Sequence, residues 1–186
     1  MKRLVIKVGT AVLTQDGQLA LERMDNLVNL ISKLKNEKNL QVILVSSGAV
    51  GAGFTSLKLD KKIVANKQAL AAIGQPLLLK HYKKRFKQHN IVCAQMLFIA
   101  DDFDSRKRSK NAQNVMEILL DNNILPIINE NDVIATEELV FGDNDQLAAH
   151  VAYYFKADML AILSDIDGYY NKNPREFSDA ILQKNI

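Results

Sequence analysis

Five short apolar runs, separated by stretches of helical periodicity, constrain the fold of this chain more than any other feature. Residues 3–8, Arg3-Leu4-Val5-Ile6-Lys7-Val8, are β-branched, short and closed by Gly9, which predicts a buried strand. Similar runs at 41–45, 91–96, 124–128 and 159–163 predict four more. Pro126 falls near the start of the fourth, where a missing N–H is tolerable. Between the first two, Leu21, Met24, Leu27, Val28, Ile31 and Leu34 recur at three and four residues, the spacing of one helix face. Further helices are expected over 61–73 and 77–88, parted by Gly74-Gln75-Pro76, and over 111–120 and 143–155. Strands alternating with helices predict an α/β fold with a mainly parallel central sheet sandwiched by helices. No repeat or linker divides residues 1–186, so a single domain is expected.

Composition removes several function classes. With 48% hydrophobic and 24% charged residues in 186, the chain can bury a core, which excludes general disorder. Its one cysteine, Cys93, excludes an internal disulfide framework and any multi-cysteine metal site, which fits a cytoplasmic protein. Cys93 lies mid-run and reads as core rather than nucleophile. His81, His89 and His150 lack ligand spacing, so no protein-held metal is expected. Lys7 interrupts the N-terminal apolar run, and no stretch approaches the roughly 18 apolar residues of a membrane span. A net charge of +3 is too small to imply a nucleic-acid partner. Lys80, Lys83, Lys84 and Lys87 share one helical face and read as a solvated surface.

In open α/β sheets ligands bind beyond the carboxyl ends of the strands, so the residues just past each strand are informative. The first strand runs into Gly9-Thr10, with Lys7 just before. The second leads into Ser46-Ser47-Gly48-Ala49-Val50-Gly51-Ala52-Gly53, whose glycines let backbone N–H groups approach an anion, or simply make a tight turn. The fourth leads into Asn129-Glu130-Asn131-Asp132 and the fifth into Ser164-Asp165-Ile166-Asp167-Gly168. Gly142-Asp143-Asn144-Asp145 opens the last helix after a hairpin-like stretch, 133–141. Any one of these residues would cap a helix; three polar ones in a row exceed that need. Asp132 and Asp145 suit an amine or a lysine partner, and the amide of Asn144 suits a carboxylate. Lys7 either snorkels to solvent or supplies a point charge to a phosphate.

These clusters resemble the amino-acid kinase family, and within it the members that act on glutamate. The matching segments are Val5-Ile6-Lys7-Val8-Gly9-Thr10-Ala11-Val12-Leu13-Thr14, Val45-Ser46-Ser47-Gly48-Ala49-Val50 and Lys67-Gln68-Ala69-Leu70-Ala71-Ala72-Ile73-Gly74-Gln75. They continue through the segment from Leu120 to Asp132 and Gly142-Asp143-Asn144-Asp145, to about Pro174-Arg175. The resemblance implies transfer of the ATP γ-phosphoryl group to the side-chain carboxylate of L-glutamate, the first step of proline biosynthesis. It implies catalytic roles for Lys7, which meets the ATP phosphates, and Asp145, which organises the catalytic lysines. Ser47, Asp132 and Asn144 would bind glutamate, Ser164 and Asp165 the nucleotide, and Mg²⁺ would bridge the phosphates. Homo-oligomer assembly and feedback inhibition by proline are further implications. Relatives carry a later glycine-rich nucleotide loop ending in a second lysine, whereas the last of the 8 glycines here is Gly168. The expectation is thus an acceptor-binding part plus the start of a nucleotide-binding part, without the C-terminal RNA-binding-like domain of some relatives, and inactive alone. The rival expectations are a kinase of the same superfamily for acetylglutamate, aspartate, carbamate or UMP, and a noncatalytic nucleotide- or RNA-binding module.

Overall fold

A computed structural model describes residues 2–15, 18–135 and 144–183. In chain order, β1 (Arg3–Val8) is followed by a short helix α1 (Thr10–Leu13) and a small antiparallel pair, β2 (Thr14–Gln15) and β3 (Gln18–Leu19). Then come α2 (Leu21–Asn36), β4 (Gln41–Ser46), α3 (Ala49–Phe54), α4 (Val64–Lys87) and β5 (Cys93–Phe98). The remainder is α5 (Ala100–Asp104), α6 (Arg106–Asp121), β6 (Leu125–Glu130), α7 (Asn144–Tyr154) and β7 (Met159–Leu163). Five strands form one sheet in the order β5-β6-β4-β1-β7, every pair of neighbours parallel. The α/β expectation is therefore met. Among the described residues no helix is long and apolar enough to cross a membrane.

Strand periodicity of two divides the core into two layers. Ile6, Val8, Val42, Leu44 and Ile127 face α2 and α4, where Met24, Ile31, Leu78, Tyr82 and Phe86 pack. Val5, Ile43, Val45 and Ile128 face the other side, against Phe103, Met116, Leu120, Leu147 and Val151. Val5 and Ile43 are fully buried; each such side chain contributes about 1.5–3 kcal/mol. Both faces of the central strands are thus covered, which explains why these runs are continuously apolar rather than alternating.

The structure departs from the sequence expectations in several places. The helices expected over 61–73 and 77–88 are one continuous helix, α4, with Pro76 inside it. Pro76 removes one hydrogen bond, while Gly74 serves a different purpose from a stop signal. A Cβ on Gly74 would lie 1.8 Å from the Ala49 carbonyl oxygen, and one on Gly53 would lie 1.9 Å from that of Leu70, so the two glycines let α3 and α4 cross backbone to backbone. The third strand begins at Cys93, two residues late, because Asn90 adopts φ 58° and Ile91 N–H returns to the Phe86 carbonyl to close α4. The fourth runs on through Asn129 and Glu130, which pair with Leu97 and Phe98 rather than starting a loop. α6 begins earlier than expected, taking Arg106-Lys107-Arg108 into its first turn. β7 is the outer strand rather than a buried one, with Met159 64% and Ile162 46% exposed. Most of the hairpin-like stretch 133–141, and Gly142 and Asp143, lie outside the described residues.

Candidate active site

The carboxyl ends of β1, β4, β6 and β7 meet along one edge of the sheet, as parallel pairing requires. Lys7 sits at the end of β1, flanked by Val45 of β4 and Ile162 of β7. It does not snorkel: the residue is 2% exposed, and its Nζ stands 2.6 Å from Oδ1 of Asp145 in the first turn of α7. Burying an ammonium is costly without such a partner. Gly9 lies beside the ammonium, where a Cβ would stand 3.4 Å from Nζ, an ordinary van der Waals contact. Lys7, Gly9, Thr10, Ala11, Val12, Ser164 and Asp165 line a cleft of about 290 Å³. A buried cation opening on a small polar cleft suits a phosphoryl group.

Ser46 ends β4, Ser47 follows it, and Gly48 turns the chain into α3 with φ 104°, a left-handed conformation that favours glycine. Asn144, at the start of α7, reaches across to them: its Nδ2 lies 2.9 Å from the Ser46 carbonyl, 3.0 Å from Ser47 Oγ and 2.8 Å from Asn129 Oδ1. Asn129 in turn donates from Nδ2 to Gln75 Oε1 at 2.8 Å. Ser46 Oγ shares a further 2.8 Å hydrogen bond with the buried Tyr82 hydroxyl. All these groups are buried, so each unmade bond would carry a desolvation penalty. Asp132 occupies the turn after β6, where burial pushes its carboxyl up from 3.8 to about 6.

The sequence-expected residues therefore form two groups. Lys7, Asp145, Ser164 and Asp165 belong to the cleft side, and Ser47, Asn144 and Asp132 to the polar cluster and its neighbouring turn. Asp165 is also bound at the surface by Arg175, whose Nη2 approaches Oδ2 at 2.6 Å and holds the carboxyl below the usual range. Arg175, Gln75 and Asn129 were not among the expected site residues. Gln75 carried a signal, a polar side chain in an otherwise apolar helical stretch, but Gly74-Gln75-Pro76 has the look of a break. Cys93 is no thiolate nucleophile, since burial raises its thiol to about 12. The lysine face of α4 rims a larger, apolar-floored groove of about 790 Å³ that includes Pro76, Leu79, Ile91 and Val92 and none of the strand-end groups. Among the described residues, no three His, Cys, Asp or Glu gather as metal ligands.

Comparison with known proteins points the same way as this geometry. The model of the amino acid kinase family matches residues 2–186. The chain is 56% identical over 188 residues to a glutamate 5-kinase of Wolinella succinogenes, covering 99% of this chain and 72% of that protein. To a glutamate 5-kinase of Leishmania donovani it is 52% identical over 183 residues, covering 98% of this chain and 69% of the relative. Among solved structures, a UMP kinase from Ureaplasma parvum superposes with a TM-score of 0.66 at 18% identity, over 100% of this chain and 76% of that one. That last likeness speaks for the fold alone.

Proposed function

The chain belongs to the amino acid kinase family, and from that premise we propose that it transfers the γ-phosphoryl group of ATP to the side-chain carboxylate of L-glutamate. The product is γ-glutamyl phosphate, in the first step of proline biosynthesis. What carries this proposal is the similarity to glutamate 5-kinases along almost the whole chain. The site geometry supports it chemically.

A carboxylate oxygen of glutamate attacks the γ-phosphorus, the bond to the bridging oxygen breaks, and ADP departs with that electron pair. Negative charge on the transferring group and the leaving oxygen is what the protein must stabilise. In this proposal Lys7 supplies that charge from the end of β1, and Asp145 keeps its ammonium aimed. Ser164 and Asp165, which also line the cleft, take the nucleotide. Ser47, Asn144 and Asp132 take glutamate, a ligand whose ammonium and two carboxylates call for acceptors and donors side by side. Mg²⁺ would come with ATP, where it neutralises phosphate charge. Homo-oligomer assembly and feedback by proline belong to the same proposal.

The test is ADP release measured with ATP and Mg²⁺ against a panel of acceptors, with hydroxylamine trapping of the acyl phosphate. Glutamate-dependent release and a glutamyl hydroxamate are expected from the longest available form of the protein, and not from residues 1–186 alone. Turnover with acetylglutamate, aspartate, carbamate or UMP and none with glutamate would overturn the assignment.

A further inference from the structure

The hydrogen bonds of the buried polar cluster have only one consistent direction. The Ser46 carbonyl can only accept, so the Asn144 atom beside it must be Nδ2. That Nδ2 also faces Asn129 at 2.8 Å, which obliges Asn129 to present Oδ1 and turn its own Nδ2 outward. The atom that meets Asn129 Nδ2 must then be an acceptor, and it is Oε1 of Gln75 on α4. A single backbone carbonyl therefore sets the orientation of three side-chain amides in series. Flipping Asn129 or Gln75 would set two N–H groups against each other, and flipping Asn144 would set acceptor oxygens against each other, in a buried place.

These fixed orientations limit what the cluster can offer a ligand. Asn144 Nδ2 has two hydrogens and three protein acceptors within 3.0 Å, so neither is left for a ligand. What Asn144 can offer a substrate is Oδ1, an acceptor. This reverses the expectation that its amide N–H reads a carboxylate. We propose that Gln75 is a positioning residue which, through Asn129, locks the Asn144 amide so that Oδ1 accepts a hydrogen bond from the ammonium group of an amino-acid substrate. Gln75 touches no substrate itself. The relay makes the site selective for an acceptor that carries an ammonium beside its carboxylates. The ammonium assignment rests on the proposed glutamate kinase function; the relay itself does not.

Two variants separate orientation from mere packing. Gln75→Met keeps volume and helix propensity but removes the acceptor, whereas Gln75→Glu keeps an acceptor oxygen opposite Asn129. Affinities for L-glutamate and for glutarate, which lacks the ammonium, are read by titration calorimetry. Q75M should lower the glutamate-over-glutarate preference about tenfold through weaker glutamate binding, with glutarate changed less than threefold. Q75E should retain the preference within about threefold. An equal weakening of both ligands in Q75M, or loss of the preference in Q75E, would overturn the role in recognition. If Q75M does not fold, Q75E alone decides. A second readout needs no ligand: hydrogen exchange at the Asn144 side-chain amide should be at least about tenfold faster in Q75M than in the parent and Q75E. Unchanged exchange overturns the relay even if glutamate proves to be the wrong substrate, and failure of the parent to bind glutamate with altered exchange counts against the function alone.

Discussion

The two sides of the strand-end edge are built on different principles. Around Asn144, polar side chains from β4, β6, α4 and α7 interlock in the buried interior, every one cross-linked to another. Around the cleft, one deeply buried cation, Lys7, faces groups that stand near or at the surface: Asp145 is 46% exposed and Asp165 is held by a solvent-facing Arg175. The first arrangement fixes direction, the second concentrates charge. Choosing among small amino acids and related acids is a matter of placing donors against acceptors, because an unmatched buried polar group is expensive. Stabilising a transferring phosphoryl group depends on charge near the reacting oxygens, and the bulky triphosphate needs room to enter.

The largest effect should come from the charge side. Lys7→Ala removes the only buried ammonium at the described edge of the cleft and leaves Asp145 without it. We expect kcat to fall about 10³-fold with glutamate KM changed less than threefold. A loss expressed mainly in glutamate KM would break the division between the two sides.

Asp132→Asn probes the other side. An ionised Asp132 is the natural partner for the substrate ammonium, and a charge-assisted bond of this kind accounts for a 10- to 100-fold rise in glutamate KM when it is lost. The same substitution should stabilise the ligand-free protein. Burial raises the carboxyl from 3.8 to about 6 in the folded state, so its contribution to stability is full below about 4 and is lost as pH rises through about 6. At pH 7–8 the ionised group costs of order 1–3 kcal/mol, and Asp132→Asn should raise Tm there but not near pH 4. A lower Tm at pH 7–8 would show that the carboxylate is structural rather than poised for a ligand.

A smaller effect is expected in the parent protein. Ammonium binding needs the ionised carboxylate, so glutamate KM should rise about fourfold between pH 7.5 and 5.5 for a group titrating near 6. The rise should vanish in Asp132→Asn. A flat KM profile in the parent would separate Asp132 from the ammonium.

The two sides were unequally legible in the sequence. Lys7, Ser47, Asp132, Ser164 and Asp165 sit where strand ends place them, and Asn144 opens the helix that reaches Lys7 and Ser47, because a parallel strand announces itself by its apolar run and its end by the first polar residues. The sheet was legible for the same reason. What escaped lay in tertiary context. Gly74-Gln75-Pro76 has the composition of a break, yet the crossing of α3 over α4 demands a glycine there and the packing of Tyr82 and Phe86 carries the helix past the proline. Asn129 was hidden differently: polar residues at 129–130 suggested that the strand had ended, whereas pairing with β5 carries it on. Local propensity could not anticipate that a partner strand and a partner amide would satisfy both.

Arg175 offers the gentlest test of the comparison. It bonds the Asp165 carboxylate and also its carbonyl oxygen, at 2.6 and 3.2 Å, and so pins the loop after β7 beside the cleft. The guanidinium depresses the Asp165 carboxyl, which therefore stays ionised throughout the working pH range, and the clamp is not a pH switch. Both partners are open to water, where ion pairs are weak and screened by salt. Arg175→Ala should accordingly raise the ATP KM only two- to threefold at low ionic strength, with no difference from the parent at high salt and no change in glutamate KM. Arg175→Lys should fall between, since a point charge cannot hold carboxylate and carbonyl together as the guanidinium fork does. A tenfold or greater loss in kcat would mean that the cleft side is as rigidly built as the polar cluster, and the contrast between a fixed acceptor side and a loosely held nucleotide side would fall with it.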